Sequence, residues 1–428
     1  MPHVPILLHP SHAAAPTGRR IPVGLLSERC RRSSAGIARR LALIVLLASS
    51  CGVATGAEVV EPMVHTHGLL VLPLEGHRYA GKASRMTAAA LPVAGGQAAE
   101  VRFNQNVGEE MGKALEEVVK FTQLRHNGWP TGRRIEMSFA EPYSPKDGPS
   151  AAVACALLLE SMLSGTELDP RFAVTGDLNI DGRVRPVGGI GGKLRGAVLG
   201  QCTMVAIPRE NAQAVIDLVV SEGLEPLLTA HIVVLETFDD ALLFGSKDKP
   251  EAVAAALATF EQVQTVAKRQ SGSVLGVMRH PSAQERLVGV LEVVPQHLSA
   301  RLLLQAGRGQ LPQRLSLPGS LEAIDQSSYD LLNAARAGEV GSALDADELR
   351  NAVARIRALR PRLHDRTVTL SDNLLRLGER VIEWRDRRPS ARAAVERLIN
   401  DINSAAGAVD AEWNRLLQDP QVVEQLMQ

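Results

Sequence analysis

The sequence predicts an α+β domain followed by an all-α region. Between residues 58 and 248, short runs rich in β-branched residues alternate with amphipathic stretches of helical period. An Asp181-Gly182 pair between two such runs is typical of a hairpin turn. From Pro250 onward the chain reads as helices interrupted at prolines and glycines. This order indicates a sheet-containing domain first and a helical domain second.

Composition limits the class of protein. With 428 residues, the chain is long enough for two or three domains. Hydrophobic residues make up 45% and charged residues 22%, which is ordinary for a globular protein. Lys and Arg together number 47, as do Asp and Glu, so the net charge is close to zero. This balance argues against nucleic acid as a partner of the whole chain.

The first 57 residues read as a targeting segment. A basic stretch with several arginine pairs precedes the apolar run Leu41–Ala48, and small residues follow up to Ala57. This order is typical of a secretory signal, and the apolar run is shorter than the roughly 20 residues of a membrane span. We therefore expect an exported protein, periplasmic or extracytoplasmic. An uncleaved or lipid anchor to the membrane and a wrongly assigned start on a cytoplasmic protein stay open as alternatives.

The middle part, residues 58–248, carries the predicted sheet. Strands are predicted at residues 64–74, 101–103, 135–139, 203–207 and 231–235, with a hairpin over 173–186. Helices are predicted at residues 108–121, 150–164, 193–199, 210–222 and 237–244. Residues 80–100 are small and rich in Gly and Ala, and predict a hairpin or loop.

The last part, residues 249–428, is predicted to be a helical bundle or a short helical-repeat domain. Helices are predicted at 250–270, at 282–307 as a pair of tetratricopeptide type, at 345–388 with a break at Pro361, and at 391–416. Oligomerisation or the docking of substrates and partners would suit such a domain. Passive packing is the alternative, and whether the chain forms a homo-oligomer stays open.

Metal and cofactor signals are weak. His65 and His67 can share one face of a strand, but no third ligand accompanies them. The four cysteines are not spaced as a metal knuckle. We therefore expect neither a metal nor a cofactor.

Two glycine-rich corners carry the chemistry. The stretch Pro145–Ala152 places Ser150 on a Gly-Pro corner before a helix, and a second corner leads to Lys193. A serine hydroxyl becomes a good nucleophile when a base takes its proton, and a buried, neutral lysine can be that base. The start of a helix also offers N–H groups for an oxyanion. The alternative is a turn in which Ser150 caps the helix and Lys193 is solvated.

Several ordered motifs resemble the proteolytic domain of the Lon family of serine peptidases. They are Pro145–Ala151, Thr175-Gly176-Asp177, Gly182-Arg183-Val184 and Pro186–Gly189, followed by Lys193. The resemblance covers residues 58–248, less than half of the chain, and implies an α+β fold with mixed sheets.

The resemblance also implies the roles of individual residues. Ser150 would be the nucleophile and Lys193 the general base. Thr175 would contact the lysine amine. Asp147 and Glu141 match the family's loop before the serine and would support the site.

Two departures from the family pattern bear on activity. Ala152 stands where the family usually has glycine, and Gly191-Gly192 precede the lysine where charged residues are usual. The phosphate-binding pattern G-x-x-x-x-G-K-S/T of the family's ATPase does not occur in this sequence. We therefore expect an ATP-independent Ser-Lys endopeptidase that acts on unfolded proteins or peptides. The alternatives are a catalytically weak Lon-fold scaffold or binding module, and a protein whose function lies in its helical domain.

Overall fold

Strand-forming sequence before residue 93 and apolar runs after residue 171 meet in one mixed sheet. The computed structural model describes residues 63–74, 79–96, 98–141, 146–269, 273–336, 346–387 and 391–427. Its strands are β1 (Val64–Pro73), β2 (Tyr79–Pro92), β3 (Glu100–Phe103), β4 (Arg133–Phe139), β5 (Phe172–Val174), β6 (Asp177–Leu178), β7 (Val184–Arg185), β8 (Met204–Pro208) and β9 (His231–Leu235). Seven of them form a sheet in the order β3-β4-β2-β1-β5-β8-β9.

Strand directions divide this sheet into two halves. β2 pairs antiparallel with both β1 and β4. β1, β5, β8 and β9 run parallel to one another, as do β3 and β4. The predicted hairpin over residues 173–186 is divided, because β5 joins the large sheet while β6 and β7 form a separate antiparallel pair. The predicted α+β class with mixed strand directions is confirmed.

The prediction of a hairpin or loop over residues 80–100 is wrong. Most of that stretch is β2, a strand of 14 residues. Ala and Gly have low strand propensity, which is the signal that the sequence offered. Packing outweighs that propensity, because Met86 and Ala88 are buried at alternate positions and the small residues allow helices to approach closely.

Helices pack on the sheet, and the elements after the last strand, β9, are helices. The helices before residue 270 are α1 (Glu109–His126), α2 (Ala152–Ser164), α3 (Ile190–Leu199), α4 (Ala212–Glu222), α5 (Glu225–Thr229), α6 (Phe238–Gly245) and α7 (Glu251–Arg269). Those that follow are α8 (Val274–Arg279), α9 (Pro281–Val293), α10 (Leu298–Gly307), α11 (Leu317–Arg336), α12 (Ala346–Leu359), α13 (Val368–Arg387), α14 (Arg392–Gln418) and α15 (Pro420–Met427). The predicted all-α C-terminal region is confirmed.

Three hydrophobic clusters hold these elements together. The first surrounds α2, which is buried from Ala152 to Ser161. The second joins the parallel strands to α7–α10 through residues such as Phe260 and Leu303. The third lies among α11–α15 and the segments that join them, and begins at Leu315. The helices up to α10 therefore share a core with the sheet, although the predicted domain boundary stands at residue 248.

Two predictions concern the N-terminal segment and the membrane. Residues 1–57, the predicted signal or anchor, lie outside the described residues. Within the described ranges, no helix combines the length and the apolar character needed to cross a membrane.

Candidate active site

Ser150 lies where the chain turns into the buried helix α2. Gly148 adopts φ 91°, a left-handed conformation that favours glycine, and residues Pro149–Ala151 form a 3₁₀ turn before α2 begins at Ala152. The helix predicted from Ser150 therefore starts with this tighter turn. Ser150 as a whole residue is half-buried.

Lys193 is buried in the first turn of a helix. Gly189, with φ 72°, precedes α3, which begins at Ile190 rather than at the predicted residue 193. Lys193 is 3% exposed, and burial lowers the pKa of its amine to about 7. A buried ammonium is desolvated, so the neutral form is favoured. This lysine is therefore not the solvated charge of the alternative interpretation.

Thr175 connects the two corners. Lys193 Nζ donates a hydrogen bond to Thr175 Oγ1 at 3.0 Å, and Thr175 Oγ1 donates to the Ser150 carbonyl oxygen at 3.1 Å. The Gly176 N–H donates to the same carbonyl oxygen at 2.9 Å. Among the hydrogen bonds of the described residues, none joins Ser150 Oγ directly to Lys193 Nζ. The structure thus brings Ser150, Thr175 and Lys193 together through the threonine.

Asp147 contacts α1 rather than the serine side chain. Its Oδ1 accepts hydrogen bonds from the backbone N–H groups of Glu110, Met111 and Gly148 at 3.1, 3.3 and 2.8 Å. The residue before α1, Gly108, has no side chain to cap the helix, so Asp147 supplies that cap from a distant part of the chain. Asp147 therefore fixes the loop that leads to Ser150.

Glu141 lies at the start of the same loop, beside β2. Its Oε1 is 2.7 Å from Lys82 Nζ, and its Oε2 accepts a hydrogen bond from Ser84 Oγ. These hydrogen bonds outweigh the effect of partial burial, so the pKa of the Glu141 carboxyl lies below its usual value. The carboxylate therefore stays charged at neutral pH and keeps both partners.

Sequence reasoning missed Lys146. This side chain is buried, its Nζ donates to the Glu141 carbonyl oxygen, and it lies 5.2 Å from the centre of the Phe139 ring. Burial lowers the pKa of its amine. A lysine beside Asp147 reads from sequence as a solvated charge, and only the fold shows that it closes the loop before Ser150.

The structure accommodates both departures from the family pattern. Ala152 is 1% exposed and belongs to the first core, which accommodates its methyl group. Gly192 faces Gly81 of β2, where a Cβ added to Gly81 would lie 1.6 Å from the Gly192 oxygen. Gly81 and Gly196 therefore allow α3 to lie directly on β2, whereas a Cβ on Gly191 or Gly192 would come no closer than 3.8 Å to a neighbouring atom.

No cluster of three or more His, Cys, Asp or Glu side chains in the described part of the chain could hold a metal ion. His65 and His67 lie on β1. Burial lowers the pKa of both imidazoles.

Comparison with known proteins agrees with the fold and the motifs. Residues 120–242 match the family model of the Lon protease C-terminal proteolytic domain. This part of the chain is therefore a Lon-type proteolytic domain, preceded by β1–β3 and most of α1 and followed by the helical region.

Individual relatives match over the same part. A Lon protease of Haemophilus influenzae is 29% identical over 160 residues, which cover 36% of this chain and 19% of the relative. Lon protease of Azospirillum brasilense is 32% identical over 188 residues, 41% of this chain and 21% of the relative. Lon protease of Rhizobium meliloti is 41% identical over 86 residues, 20% and 11% of the two chains. The chain thus spans about a fifth or less of the length of these relatives.

Proposed function

We propose that this protein is a serine endopeptidase with a Ser-Lys dyad, Ser150 as nucleophile and Lys193 as general base. The observation that carries the proposal is the buried Lys193 amine, whose pKa of about 7 leaves a large neutral fraction at physiological pH. Its hydrogen bond to Thr175 holds the amine beside the serine corner. A base with a pKa near the working pH is suited to proton transfer.

The proposed reaction is acyl transfer. Neutral Lys193 takes the proton of Ser150 Oγ while the oxygen attacks the peptide carbonyl carbon. The resulting ammonium gives that proton to the leaving amine, and an acyl-serine ester remains. Water then attacks the ester while Lys193 takes its proton; the bond between the acyl carbon and Ser150 Oγ breaks, the lysine returns the proton to Oγ, and the second product leaves. The proposed oxyanion donors are backbone N–H groups of the turn at Ser150, because those of Ala152 and Val153 in α2 already donate to the Pro149 and Gly176 carbonyl oxygens.

The proposed substrates are unfolded proteins or peptides, and the proposed reaction needs no ATP. The phosphate-binding pattern of an ATPase does not occur in these 428 residues, and peptide hydrolysis itself is thermodynamically downhill. The basic and apolar order of residues 1–57 supports an exported protein.

The experiment compares the wild type with Ser150→Ala and Lys193→Ala on a fluorescently labelled unfolded protein, with and without ATP. We expect hydrolysis by the wild type that ATP does not change. Each variant should lose at least about a thousandfold in kcat, as is typical when a member of a nucleophilic dyad is removed. Full activity of either variant, with unchanged circular dichroism, would refute the dyad.

A second candidate is a weakly active scaffold or binding module. The observation that favours it is the Ser150 geometry, since within the described chain the hydroxyl has no hydrogen bond to the Lys193 amine. A serine-reactive phosphonate probe separates the two functions. Labelling of Ser150 that depends on Lys193 supports the peptidase, whereas a chain that binds unfolded protein without labelling or cleavage supports the module.

A further inference from the structure

Strand β2 contacts both corners of the candidate site. On one side, Gly81 packs so closely on α3 that an added Cβ would lie 1.6 Å from the Gly192 oxygen and 2.9 Å from the Lys193 nitrogen. On the other side, Lys82 and Ser84 bind the Glu141 carboxylate. Successive residues of a strand point to opposite faces, so β2 lies between the lysine helix and the loop of the serine.

Register brings Glu141 to this position. Phe139 of β4 pairs with Met86 of β2, and the Ala140 N–H donates to the Arg85 carbonyl oxygen at 2.9 Å. Continuing the antiparallel register by two residues places Glu141 opposite Ser84, with Lys82 one diagonal step away. The register between β2 and β4 thus brings Lys82 and Glu141 close enough to form their ion pair.

Lys146 and Asp147, which precede Ser150, are attached to Glu141 and to α1. Lys146 Nζ donates a hydrogen bond to the Glu141 carbonyl oxygen, so Lys146 is attached directly to the end of β4. The Lys146 carbonyl oxygen accepts from the Gly108 N–H at 2.7 Å, and Asp147 caps α1. Ser150 follows three residues later, so a shift of Glu141 relative to β2 would move the serine relative to the lysine.

We propose that Glu141 is a positioning residue, and that Lys82 and Ser84 hold it so that β2 sets the spacing between Ser150 and Lys193. This inference rests on the proposed peptidase function, because the spacing of nucleophile and base is expressed in turnover. Among the described contacts, Glu141 touches neither side chain of the dyad, and it acts through its carbonyl oxygen, which accepts from Lys146 Nζ, and through Asp147, the residue after Lys146.

The test is a charge-reversal cycle with Lys82→Glu, Glu141→Lys and the double variant. Each single variant places two like charges in contact and should lower kcat by roughly tenfold or more, with KM within about twofold. The double variant restores opposite charges, and the Ser84 hydroxyl can accept a hydrogen bond from a lysine as well as donate one to a carboxylate. We expect its kcat to return to within about threefold of the wild type.

A matched ion pair provides the control. Arg102 Nη2 and Glu136 Oε1, on β3 and β4, are also 2.7 Å apart, with side-chain exposures of 48% and 21% against 47% and 24% for Lys82 and Glu141. The same cycle on Arg102 and Glu136 should change the melting temperature similarly and leave kcat within about twofold.

The outcomes test two separate statements, the positioning role of Glu141 and the peptidase function on which it rests. Unchanged kcat in Lys82→Glu and Glu141→Lys, no recovery in the double variant, or an equal loss of kcat in the control cycle overturns the positioning role. Measuring the wild type and Ser150→Ala first separates a failure of the positioning role from a failure of the proposed peptidase function. If the wild type does not cleave, or if Ser150→Ala does, then the peptidase proposal fails and this inference fails with it.

Discussion

Lys193 Nζ and Thr175 Oγ1 are joined by a hydrogen bond of 3.0 Å inside a site where the lysine is almost completely buried. Within the described chain, no other hydrogen bond of this amine is found. Thr175 uses its own proton on the Ser150 carbonyl oxygen, so its hydroxyl must accept from the lysine. The threonine thereby orients the amine and ties it to the backbone of the nucleophile.

Replacing Thr175 by valine should lower kcat/KM by roughly 10- to 100-fold. Valine keeps the shape of the side chain but leaves a buried amine without its partner, which costs about 1–3 kcal/mol. Thr175→Ser keeps the hydroxyl and should retain most of the activity. Peptide hydrolysis by the three proteins at saturating and low substrate measures the effect. Equal activity of the valine variant would show that the amine does not need this acceptor.

The activity should rise with pH. The pKa of Lys193 is about 7, and only the neutral amine can take the serine proton. We therefore expect log kcat/KM to increase between about pH 5.5 and 7 and to level off above pH 8. Lys193→Arg is the control, because a guanidinium does not lose its proton in this range. A flat profile for the wild type, or an active arginine variant, would exclude lysine as the base.

The same lysine should make stability depend on pH. An exposed lysine in the unfolded chain has a pKa of about 10.4, whereas burial lowers it to about 7 in the folded protein. Between these values the unfolded chain binds more protons, so the free energy of unfolding increases as the pH rises from 7 to 10. Lys193→Met removes this dependence. The free energy of unfolding of the variant minus that of the wild type should therefore be a few kcal/mol larger at pH 7 than at pH 10. Urea unfolding of both proteins at the two pH values tests the difference.

Local sequence signals predicted most of the elements but not their contacts. Apolar runs such as Met204–Pro208 and His231–Leu235 are strands, as their pattern indicates. The strand β2 was missed because small residues carry no strand signal of their own, and their value lies in the helix that packs on Gly81. The resemblance of several ordered motifs to the Lon family, and no local pattern, indicated Thr175 as the residue that would contact the Lys193 amine. The burial of Lys146 and the partners of Glu141 depend on segments far apart in sequence.

A buried histidine pair between β9 and α10 should destabilise the protein in acid. The Ala300 N–H donates to His297 Nδ1 at 3.1 Å, so the proton of this ring is on Nε2 and faces His231 Nδ1 at 3.0 Å. The remaining nitrogen of His231 lies 3.5 Å from Glu261 Oε1. Burial lowers the pKa of both imidazoles.

The sign of this effect follows from proton binding. The unfolded chain takes up protons near pH 6.5 while the folded pair stays neutral, so the free energy of unfolding falls as the pH drops below about 6.5. In His297→Asn the side chain can still cap α10 but cannot titrate. We expect this variant to be less stable at pH 8 by about 1–3 kcal/mol and to lose less between pH 6.5 and 4.5. Thermal unfolding at the three pH values measures both; parallel losses in the two proteins would show that the pair does not titrate on unfolding.

A single methyl group at Gly81 should separate α3 from β2. The added Cβ would lie 1.6 Å from the Gly192 oxygen, and the opposing Gly196 has no room to give, since its own Cβ would lie 2.3 Å from the Gly81 carbonyl carbon. Because the clashing atoms on both sides belong to the backbone, they cannot move without shifting α3 or β2. Gly81→Ala should therefore lower the free energy of unfolding by roughly 3 kcal/mol or more and also displace Lys193.

Gly112→Ala on α1 is the matched control. A Cβ there meets no atom within 4 Å, and alanine favours the helix by up to about 1 kcal/mol. Urea midpoints of the two variants should therefore move in opposite directions, and a Gly81→Ala protein as stable as the wild type would contradict the close packing of α3 on β2.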